Sequence, residues 1–218
     1  ALETSVPDII AFSNYTWNRR ISKEFSKIFL EKNPNGLVVW GGPNFPVDYP
    51  SQIKFFKKFP EIDIYVPIEG EIGFSNIVKK ALTAQLKNTL REKVLNDSIP
   101  CCITKLSNGK LEFAFSDNRI KALDDIPSPY LAGILDEFFD GKLAPMIQTN
   151  RGCPFSCTFC VDGSDDVNQV NQFTTKRVDD ELNYISNNVQ KTTHSLLISD
   201  LNFGMYSKDI EICTSIQK

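Results

Sequence analysis

The stretch TNRGCPFSCTFCVDG, residues 149–163, places three cysteines within eight positions, at Cys153, Cys157 and Cys160. It continues the segment PMIQTN, residues 145–150, whose apolar start predicts a buried β-strand. Parallel α/β proteins place their chemistry on loops at the carboxyl ends of their strands. The stretch therefore predicts an α/β fold with a thiol-bearing loop at that end of a sheet.

The spacing Cys-x3-Cys-x2-Cys favours a metal site with an open position. Thiolates are soft ligands that suit zinc, copper(I) and iron–sulfur clusters. A structural zinc site has four protein ligands, and electron-carrier clusters have four cysteines. The single histidine, His194, begins a later strand and lies poorly for closing the site. Three thiols would leave one iron of a four-iron cluster open, although a zinc site, a disulfide or uncoordinated thiols remain alternatives.

Composition narrows the class of protein. With 218 residues, 41% of them hydrophobic, the chain can form one large or two small domains. A net charge of −3 provides no basic surface for nucleic acid, and no apolar run reaches the ~20 residues of a membrane span. Adjacent Cys101 and Cys102 argue against a disulfide framework, so we expect a reducing, cytoplasmic environment. Together with Cys213 they are expected to be small apolar side chains.

The first ninety residues alternate between strands and helices. Apolar runs predict strands at Ile9–Ser13, Leu37–Trp40 and Ile62–Val66, and apolar residues at helical spacing follow each run. This order predicts a parallel sheet with right-handed crossovers, in which ligands bind beyond the carboxyl ends of the strands. The residues at those ends are the candidate ligand-binding residues: Ser13, Gly41, Gly42, Glu69, Gly70 and Glu71.

Simpler explanations exist for several of these residues. Gly41 and Gly42 are also expected in a tight turn after a strand. Glu69 and Glu71 suit the first turn of a helix, where negative charge is favourable. Trp17 is expected in the core.

A different pattern separates the two ends of the chain. Residues 103–115 predict a β-hairpin that turns at Asn108–Gly109, and a proline-rich connector, ALDDIPSPY, follows it. The segment LAGILDEFFDG, residues 131–141, predicts a helix that ends at Gly141. We therefore predict three parts: residues 1–90, a linker over 91–144 with the hairpin and helix, and residues 145–218, where strands and helices alternate again.

Several motifs resemble one enzyme family. RGCPFSCTFC resembles the cluster loop of the radical S-adenosylmethionine (SAM) enzymes, including the aromatic residue before the last cysteine. DIIAFSNYTWN, VVWGGP and IDIYVPIEGEIGF resemble the back half of the cobalamin-binding domain that precedes many of these enzymes' barrels. ALDDIPSPY resembles the usual connector, and LLISDLNFG the second barrel strand. The resemblance implies a partial flavodoxin-like (Rossmann-like) parallel sheet, followed by the first strand–helix units of a partial TIM-type (β/α) barrel.

The resemblance also implies roles for individual residues. Cys153, Cys157 and Cys160 would ligate a [4Fe–4S] cluster whose fourth iron chelates S-adenosylmethionine, and reductive cleavage would yield a 5′-deoxyadenosyl radical. Phe159 would pack by the adenine. Asp200 would lie near the S-adenosylmethionine site, although a helix N-cap is an equal alternative.

For the first part of the chain, the implied ligand is cobalamin. Ser13, Gly41 and Gly42 would border its nucleotide tail, where a missing side chain lets the ligand approach the backbone. The family's domain normally opens with two further strand–helix units, and its barrel has about six such units, so the chain resembles a fragment. We expect this chain alone to bind cobalamin weakly and to be inactive.

Two functions of different classes follow. The first is a cobalamin-linked radical SAM enzyme that transfers methyl groups or otherwise modifies C–H bonds of a small molecule, with a flavodoxin- or ferredoxin-type electron donor. The alternative is a non-catalytic iron–sulfur or zinc module that serves as an electron relay or interaction domain. Because a short linker hairpin would leave apolar strand edges unpaired, we also expect the chain to associate with itself.

Overall fold

The computed structural model describes residues 3–84, 89–114, 119–163 and 168–217. The chain forms two compact units, residues 1–119 and 120–218. The first unit contains, in chain order, β1 (Ile9–Ser13), α1 (Arg19–Lys32), β2 (Leu37–Gly41), α2 (Tyr49–Lys58), β3 (Ile64–Val66), α3 (Gly70–Thr83), α4 (Leu90–Val94), β4 (Cys102–Lys105) and β5 (Leu111–Ala114).

The first unit is built on one five-stranded sheet in the order β1-β2-β3-β4-β5. Strands β1, β2 and β3 are parallel, with Ile9 opposite Leu37 and Val39 opposite Ile64. β2 and β3 are the most deeply buried of the three, because apolar residues cover both of their faces. The predicted strand–helix alternation of the first ninety residues is confirmed.

Helices cover both faces of this sheet. On one face, Val38, Trp40 and Tyr65 pack with an aromatic cluster from α1 and α2 that includes Phe29 and Phe55. On the other face, side chains of α3 and α4 pack on alternate residues of the same strands. Since successive strand residues point to opposite faces, the continuous apolar runs in the sequence serve both cores.

Helix α1 buries two small residues together with Phe29 and leaves a separate apolar stripe exposed. Ser22 and Ser26 are buried beneath it, and Ser26 accepts a hydrogen bond from Trp40 Nε1 at 3.1 Å. Ile21, Phe25 and Ile28, one helical stripe, are 40–60% exposed. The first unit therefore presents an apolar helix face to solvent.

The predicted hairpin exists, but it belongs to the sheet. Gly109 has a φ of +83° at the turn, and β4 pairs antiparallel with both β5 and β3. Phe115, the last residue of the predicted hairpin, lies outside the described residues. Our expectation that a short linker hairpin leaves the strand edges unpaired is wrong for β3, because β4 of the hairpin pairs with that edge. The three-part division at residues 90 and 144 stays a prediction.

A buried carboxylate connects the sheet with α4. Asp63 is fully buried and accepts hydrogen bonds from the Val38 N–H at 3.0 Å and from Arg91 Nη1 at 2.7 Å. Burial raises the pKa of Asp63, and the positive charges of Arg91 and Lys105 oppose that shift. The ion pair therefore holds the helix after α3 against the start of β3.

The described residues of the second unit form two short sheets and two α-helices. β6 (Met146–Ile147) pairs parallel with β9 (Leu197–Ile198), and β7 (Asn150–Arg151) pairs antiparallel with β8 (Asn171–Gln172). Helix α5 (Thr175–Asn188) packs against α6 (Ser207–Ile216). Val178, Leu182 and Ile185 of α5 are buried, as their helical stripe predicts.

The prediction of a helix over residues 131–141 is wrong. The segment consists of turns and one 3-10 turn at Asp136–Phe138. Gly133 has a φ of +69° inside the segment, which no right-handed helix contains. The φ of +76° at Gly141 would also suit the end of a helix. The apolar spacing instead serves a core in which Leu135 and Phe139 pack beside α5.

None of the helices in the described ranges combines the length and apolar composition needed to cross a membrane. Among the cysteines outside the loop, Cys101 and Cys102 are buried as predicted, whereas Cys213 on α6 is exposed.

We expect the 24.6 kDa chain to self-associate through β1, an outer strand of the sheet, and the adjacent apolar face of α1. A second copy supplies both a matching strand edge and a matching apolar stripe. Light scattering at micromolar concentration should give a mass above the monomer. Phe25→Glu should lower that mass, whereas Lys27→Glu, at an exposed polar position of the same helix, should not. A compact monomer of the unaltered chain would refute the expectation.

Candidate functional site

A pocket of about 470 Å³ lies at the carboxyl ends of β1, β2 and β3 in the first unit. Ligands bind at this end of open parallel sheets. The wall is formed by the last residues of the three strands and by the start of α3. Five of the six ligand-binding residues predicted for this unit line the pocket: Ser13, Gly41, Gly42, Gly70 and Glu71. Their contact with a cofactor stays a prediction.

The sixth residue, Glu69, has a different environment. Its Oε1 accepts a hydrogen bond from Arg119 Nε at 2.8 Å, and its side chain is 8% exposed. It precedes α3 at the N-cap position, and its side chain makes no capping hydrogen bond. Glu71 lies in the first turn of α3, as the simpler explanation predicts. The structure thus assigns Glu69 an ion pair, and its contact with a cofactor stays a prediction.

The glycines that end and follow β2, Gly41 and Gly42, are required by the fold of the chain itself. A Cβ on Gly41 would lie 3.0 Å from the Val66 carbonyl oxygen. Gly42 has a φ of +111°, and a Cβ there would lie 3.1 Å from the Asn14 nitrogen. Both features indicate the tight turn that we considered as an alternative. The same absence of side chains leaves backbone at the pocket wall.

A buried polar network fixes the pocket rim, and our sequence analysis missed it. Asn14 is fully buried, and its Nδ2 donates to the Asn44 carbonyl at 2.6 Å and to Tyr65 Oη at 3.2 Å. Tyr65 Oη in turn donates to the Gly42 carbonyl at 2.7 Å. Burial raises the pKa of Tyr65, so the phenol stays a donor. Asn14 directly follows β1, so the strand-end rule that selected Ser13 applies to it as well.

Two further residues at the pocket carry unusual features. Ile68 lines the pocket with a φ of +62°, a strained conformation for a β-branched residue. Such strain costs about 1–3 kcal/mol and persists where the surroundings impose it. Tyr15, also in the wall, stacks on Trp17 with ring centroids 4.5 Å apart. Trp17 is 74% exposed, so its predicted place in the core is wrong.

In the second unit, the thiol-bearing loop follows β7. Cys153 is half-buried, whereas Cys157 and Cys160 are exposed, and all three thiols are free of disulfides. The Cys160 N–H donates to the Cys157 carbonyl at 3.1 Å. A Cβ on Gly163 would approach the Cys157 backbone to 2.7 Å, so glycine is needed for the loop to close on itself.

The structure does not gather the three thiols at one point. Within the described residues, no group of three His, Cys, Asp or Glu side chains is arranged to hold a metal ion. Phe159, between the last two cysteines, is 92% exposed. The ligand role of Cys153, Cys157 and Cys160 therefore stays a prediction, as does the contact of Phe159 with adenine.

Asp200 connects the end of β9 with the start of this loop. Its Oδ1 accepts from the Thr149 N–H at 2.7 Å and the Asn150 N–H at 3.2 Å. Its Oδ2 accepts from Thr149 Oγ1 and, at 2.9 Å, from Asn150 Nδ2. These bonds run to the neighbouring strand end and not to the turn that follows Asp200. The Asp200 carboxylate therefore positions the start of the loop. Its contact with S-adenosylmethionine stays a prediction.

The chemistry of the loop fits a thiolate-bound group. Three thiols within eight residues provide soft donors, and two of them are exposed. Asn150 Oδ1 in β7 and Asn202 Nδ2, four residues after β9, are buried and have no hydrogen-bond partner within the described part of the chain. Buried polar atoms are usually paired, so these two leave capacity for a bound group.

Comparison with known proteins gives consistent relatives. The chain is 32% identical over 220 residues to the cobalamin-dependent radical SAM methyltransferase TokK of Streptomyces tokunonensis. It is 30% identical over 216 residues to the 2-(S-pantetheinyl)-carbapenam-3-carboxylate methyltransferase of Streptantibioticus cattleyicolor. Each alignment covers 96% of this chain and 30% of the relative. No protein-family model matches the chain.

Solved structures share the fold. One is the cobalamin-dependent S-adenosylmethionine radical enzyme OxsB, with aqua-cobalamin and S-adenosylmethionine bound. The superposition covers 100% of this chain and 30% of the OxsB chain, with a TM-score of 0.68 and 21% sequence identity. Another is the radical S-adenosylmethionine methyltransferase TsrM from Kitasatospora setae, with tryptophan substrate and a SAM analogue bound. That superposition covers 99% of this chain and 40% of the TsrM chain. The TM-score for TsrM is 0.58, at 17% identity.

The fold and the loop define an α/β protein with a strand-end pocket in one unit and a thiol-bearing loop in the other. The chain belongs to the cobalamin-binding branch of the radical S-adenosylmethionine superfamily. The resemblance and the fold class inferred from the sequence are confirmed. The chain spans about 30% of the length of the curated relatives it matches.

Tyr65→Phe should destabilise the first unit by about 1–3 kcal/mol, because it leaves the Gly42 carbonyl without its phenol donor in a buried network. Urea unfolding measures the loss. Tyr49→Phe is the control, since Tyr49 is 57% exposed, and it should change the unfolding free energy by less than about 0.5 kcal/mol. Equal stability of the Tyr65→Phe variant and the unaltered chain would show that the network does not hold the rim.

Proposed function

We propose that this chain is the cofactor-binding part of a cobalamin-dependent radical SAM methyltransferase. The observation that carries the proposal is the 32% identity to TokK over 96% of the chain, which includes both the strand-end pocket and the thiol-bearing loop. The loop chemistry supports it, because three thiols without a fourth leave a cluster open to a second cofactor.

In this proposal Cys153, Cys157 and Cys160 hold a [4Fe–4S] cluster, and S-adenosylmethionine binds at its open iron. When bound, the cluster supplies the electron that cleaves the sulfonium bond of S-adenosylmethionine, whereas the protein supplies ligands and orientation. Asp200 holds the strand end from which the loop departs. Phe159, which is 92% exposed, is free to pack against the adenine.

The strand-end pocket would receive part of cobalamin. Gly41 and Gly42 leave the backbone accessible at its wall, and Ser13 and Gly70 flank them. The Asn14–Tyr65 hydrogen bond fixes the rim before a ligand arrives, which lowers the ordering cost of binding. Glu71 in the wall supplies a polar group at the start of α3.

The proposed reaction also needs partners. A small-molecule substrate would receive the methyl group or undergo another C–H modification, and a flavodoxin- or ferredoxin-type protein would donate electrons. A cytoplasmic location suits the reduced thiols of the loop.

The proposal is tested with the natural gene product that contains these residues. The protein is reconstituted anaerobically with iron, sulfide and cobalamin, then given S-adenosylmethionine and a reductant. We expect 5′-deoxyadenosine, and S-adenosylhomocysteine if methyl transfer occurs, both measured by mass spectrometry. A protein that binds iron and cobalamin but forms neither product would contradict the enzyme assignment. Retention of zinc in place of iron would favour the non-catalytic module.

Cys157→Ala should abolish bound iron and the broad visible absorbance after anaerobic reconstitution of the chain, because two thiols cannot hold the cluster. Iron content and the absorption spectrum measure the effect. Cys213→Ala is the matched control, since Cys213 is also exposed but lies on α6, outside the loop, and it should retain both signals. A variant with all three loop cysteines replaced that keeps its iron would overturn the ligand assignment.

A further inference from the structure

One residue of the turn between β3 and α3 makes an ion pair, while its neighbours line the strand-end pocket. Ile68, Gly70 and Glu71 belong to the pocket wall. Glu69 lies between them in the chain, and its Oε1 accepts a hydrogen bond from Arg119 Nε at 2.8 Å. The Glu69 side chain is 8% exposed and that of Arg119 is 12% exposed. A largely buried ion pair therefore anchors the turn that carries this part of the wall.

The turn is short and its backbone is strained. Strand β3 ends at Val66 and helix α3 begins at Gly70, so only residues 67–69 connect them. Ile68 has a φ of +62°, in the left-handed region that a β-branched side chain disfavours. Such a conformation persists only where the surrounding structure imposes it, and it is common at ligand-binding positions. The strain at Ile68 therefore requires contacts that hold the turn.

Close packing holds both ends of this turn. β3 is paired with β2 on one side and with β4 on the other. In the first turn of α3, a Cβ on Gly73 would lie 2.5 Å from Val66 Cγ1 and 2.9 Å from the Cys101 carbonyl oxygen, so the helix lies tightly on the sheet. Between these fixed ends, the ion pair of Glu69 with Arg119 holds the turn itself.

Arg119 reaches the turn from a distant part of the chain. It follows Glu69 by 50 positions and is the last residue of the first unit. Its guanidinium group stays charged, and removal of one partner of a largely buried ion pair leaves the other charge uncompensated. Without Arg119, the Glu69 carboxylate would turn toward water, and the backbone at Ile68 would relax toward an ordinary conformation.

We propose that Glu69 and Arg119 are positioning residues for the strand-end pocket, whose ion pair holds the strained turn so that Ile68, Gly70 and Glu71 form the wall before cobalamin binds. This inference rests on the proposed function. A protein that adopts its binding-competent arrangement for only a fraction of the time binds its ligand more weakly by that fraction. The ion pair therefore contributes to affinity without touching the ligand.

The test uses the natural gene product that contains these residues, with hydroxocobalamin as the probe and equilibrium dialysis as the measurement. Arg119→Gln and Glu69→Gln should each weaken binding about tenfold, the effect expected when about one tenth of the molecules keep the competent turn. Arg119→Lys, which retains the charge but not the planar guanidinium, should recover part of the lost affinity. The double variant Glu69→Gln/Arg119→Gln should bind no more weakly than the weaker single variant, because both changes remove the same interaction.

Arg177→Gln is the matched control. Arg177 Nε donates to Glu181 Oε1, also at 2.8 Å, and these side chains are 13% and 12% exposed. This ion pair has nearly the same length and burial, but it lies along α5 in the second unit. Its loss should lower the thermal unfolding midpoint and leave the hydroxocobalamin affinity unchanged. The comparison separates positioning of the pocket from a general loss of stability.

Three results would overturn the inference and leave the proposed function intact. Unchanged affinity of the Arg119→Gln variant would show that the ion pair does not shape the pocket. Equal weakening by Glu69→Gln with and without Arg119→Gln would show that the carboxylate contacts the ligand directly. Equal weakening by Arg177→Gln and Arg119→Gln would assign both effects to lost stability. An unaltered protein that binds no hydroxocobalamin would instead overturn the proposed function together with this inference.

Discussion

The carboxylate of Asp200 determines where the thiol-bearing loop begins. It receives four hydrogen bonds from Thr149 and Asn150, two from main-chain N–H groups and two from side chains. Hydrogen bonds to a charged group contribute about 1.5–3 kcal/mol each, and Thr149 and Asn150 are both 2% exposed. Because Cys153 lies three residues after Asn150, the position of the first thiol follows from this interaction.

In the first unit, hydrogen bonds between uncharged groups hold the strand ends at the pocket in a similar way. Asn14 follows β1 and Tyr65 lies in β3, and their hydrogen bond connects two strand ends across β2. The Gly42 carbonyl, held by Tyr65, lies between them. In each unit a polar side chain, buried Asn14 in the first and half-buried Asp200 in the second, ties adjacent strand ends together at the edge where ligands bind in α/β proteins. The two candidate sites are therefore formed by the folded chain, while the thiols still have to converge.

Local patterns in the sequence were sufficient for most of the fold. The apolar runs at β1 and β2 and the Asn108–Gly109 turn have strong local preferences, and each element lies where the pattern predicts it. The helix prediction for residues 131–141 failed because Gly133, in the left-handed region, interrupts the helical spacing. The pairing of β4 with β3 was missed because register between distant strands is set by tertiary contacts.

For the candidate sites, the sequence predicted which residues lie there better than it predicted their hydrogen bonds and ion pairs. The strand-end rule located Ser13, Gly41 and Gly42 at the pocket, and the motif located the thiols on an exposed loop. The strand-end rule did not distinguish Glu69, which pairs with Arg119, from Glu71, which lines the pocket. The sequence also did not reveal the hydrogen bond between Asn14 and Tyr65, because a contact between side chains 51 positions apart depends on the fold.

The central claim is that three loop thiols hold a cluster with one open iron, which a second cofactor occupies. The most direct measurement is the EPR spectrum of the reduced, reconstituted natural gene product before and after addition of S-adenosylmethionine. Coordination of the amino and carboxylate groups of S-adenosylmethionine to the open iron should change the spectrum, and methyl-deuterated or ¹⁵N-labelled S-adenosylmethionine should introduce couplings detectable by double resonance. A cluster spectrum that stays unchanged, without such couplings, would contradict the account.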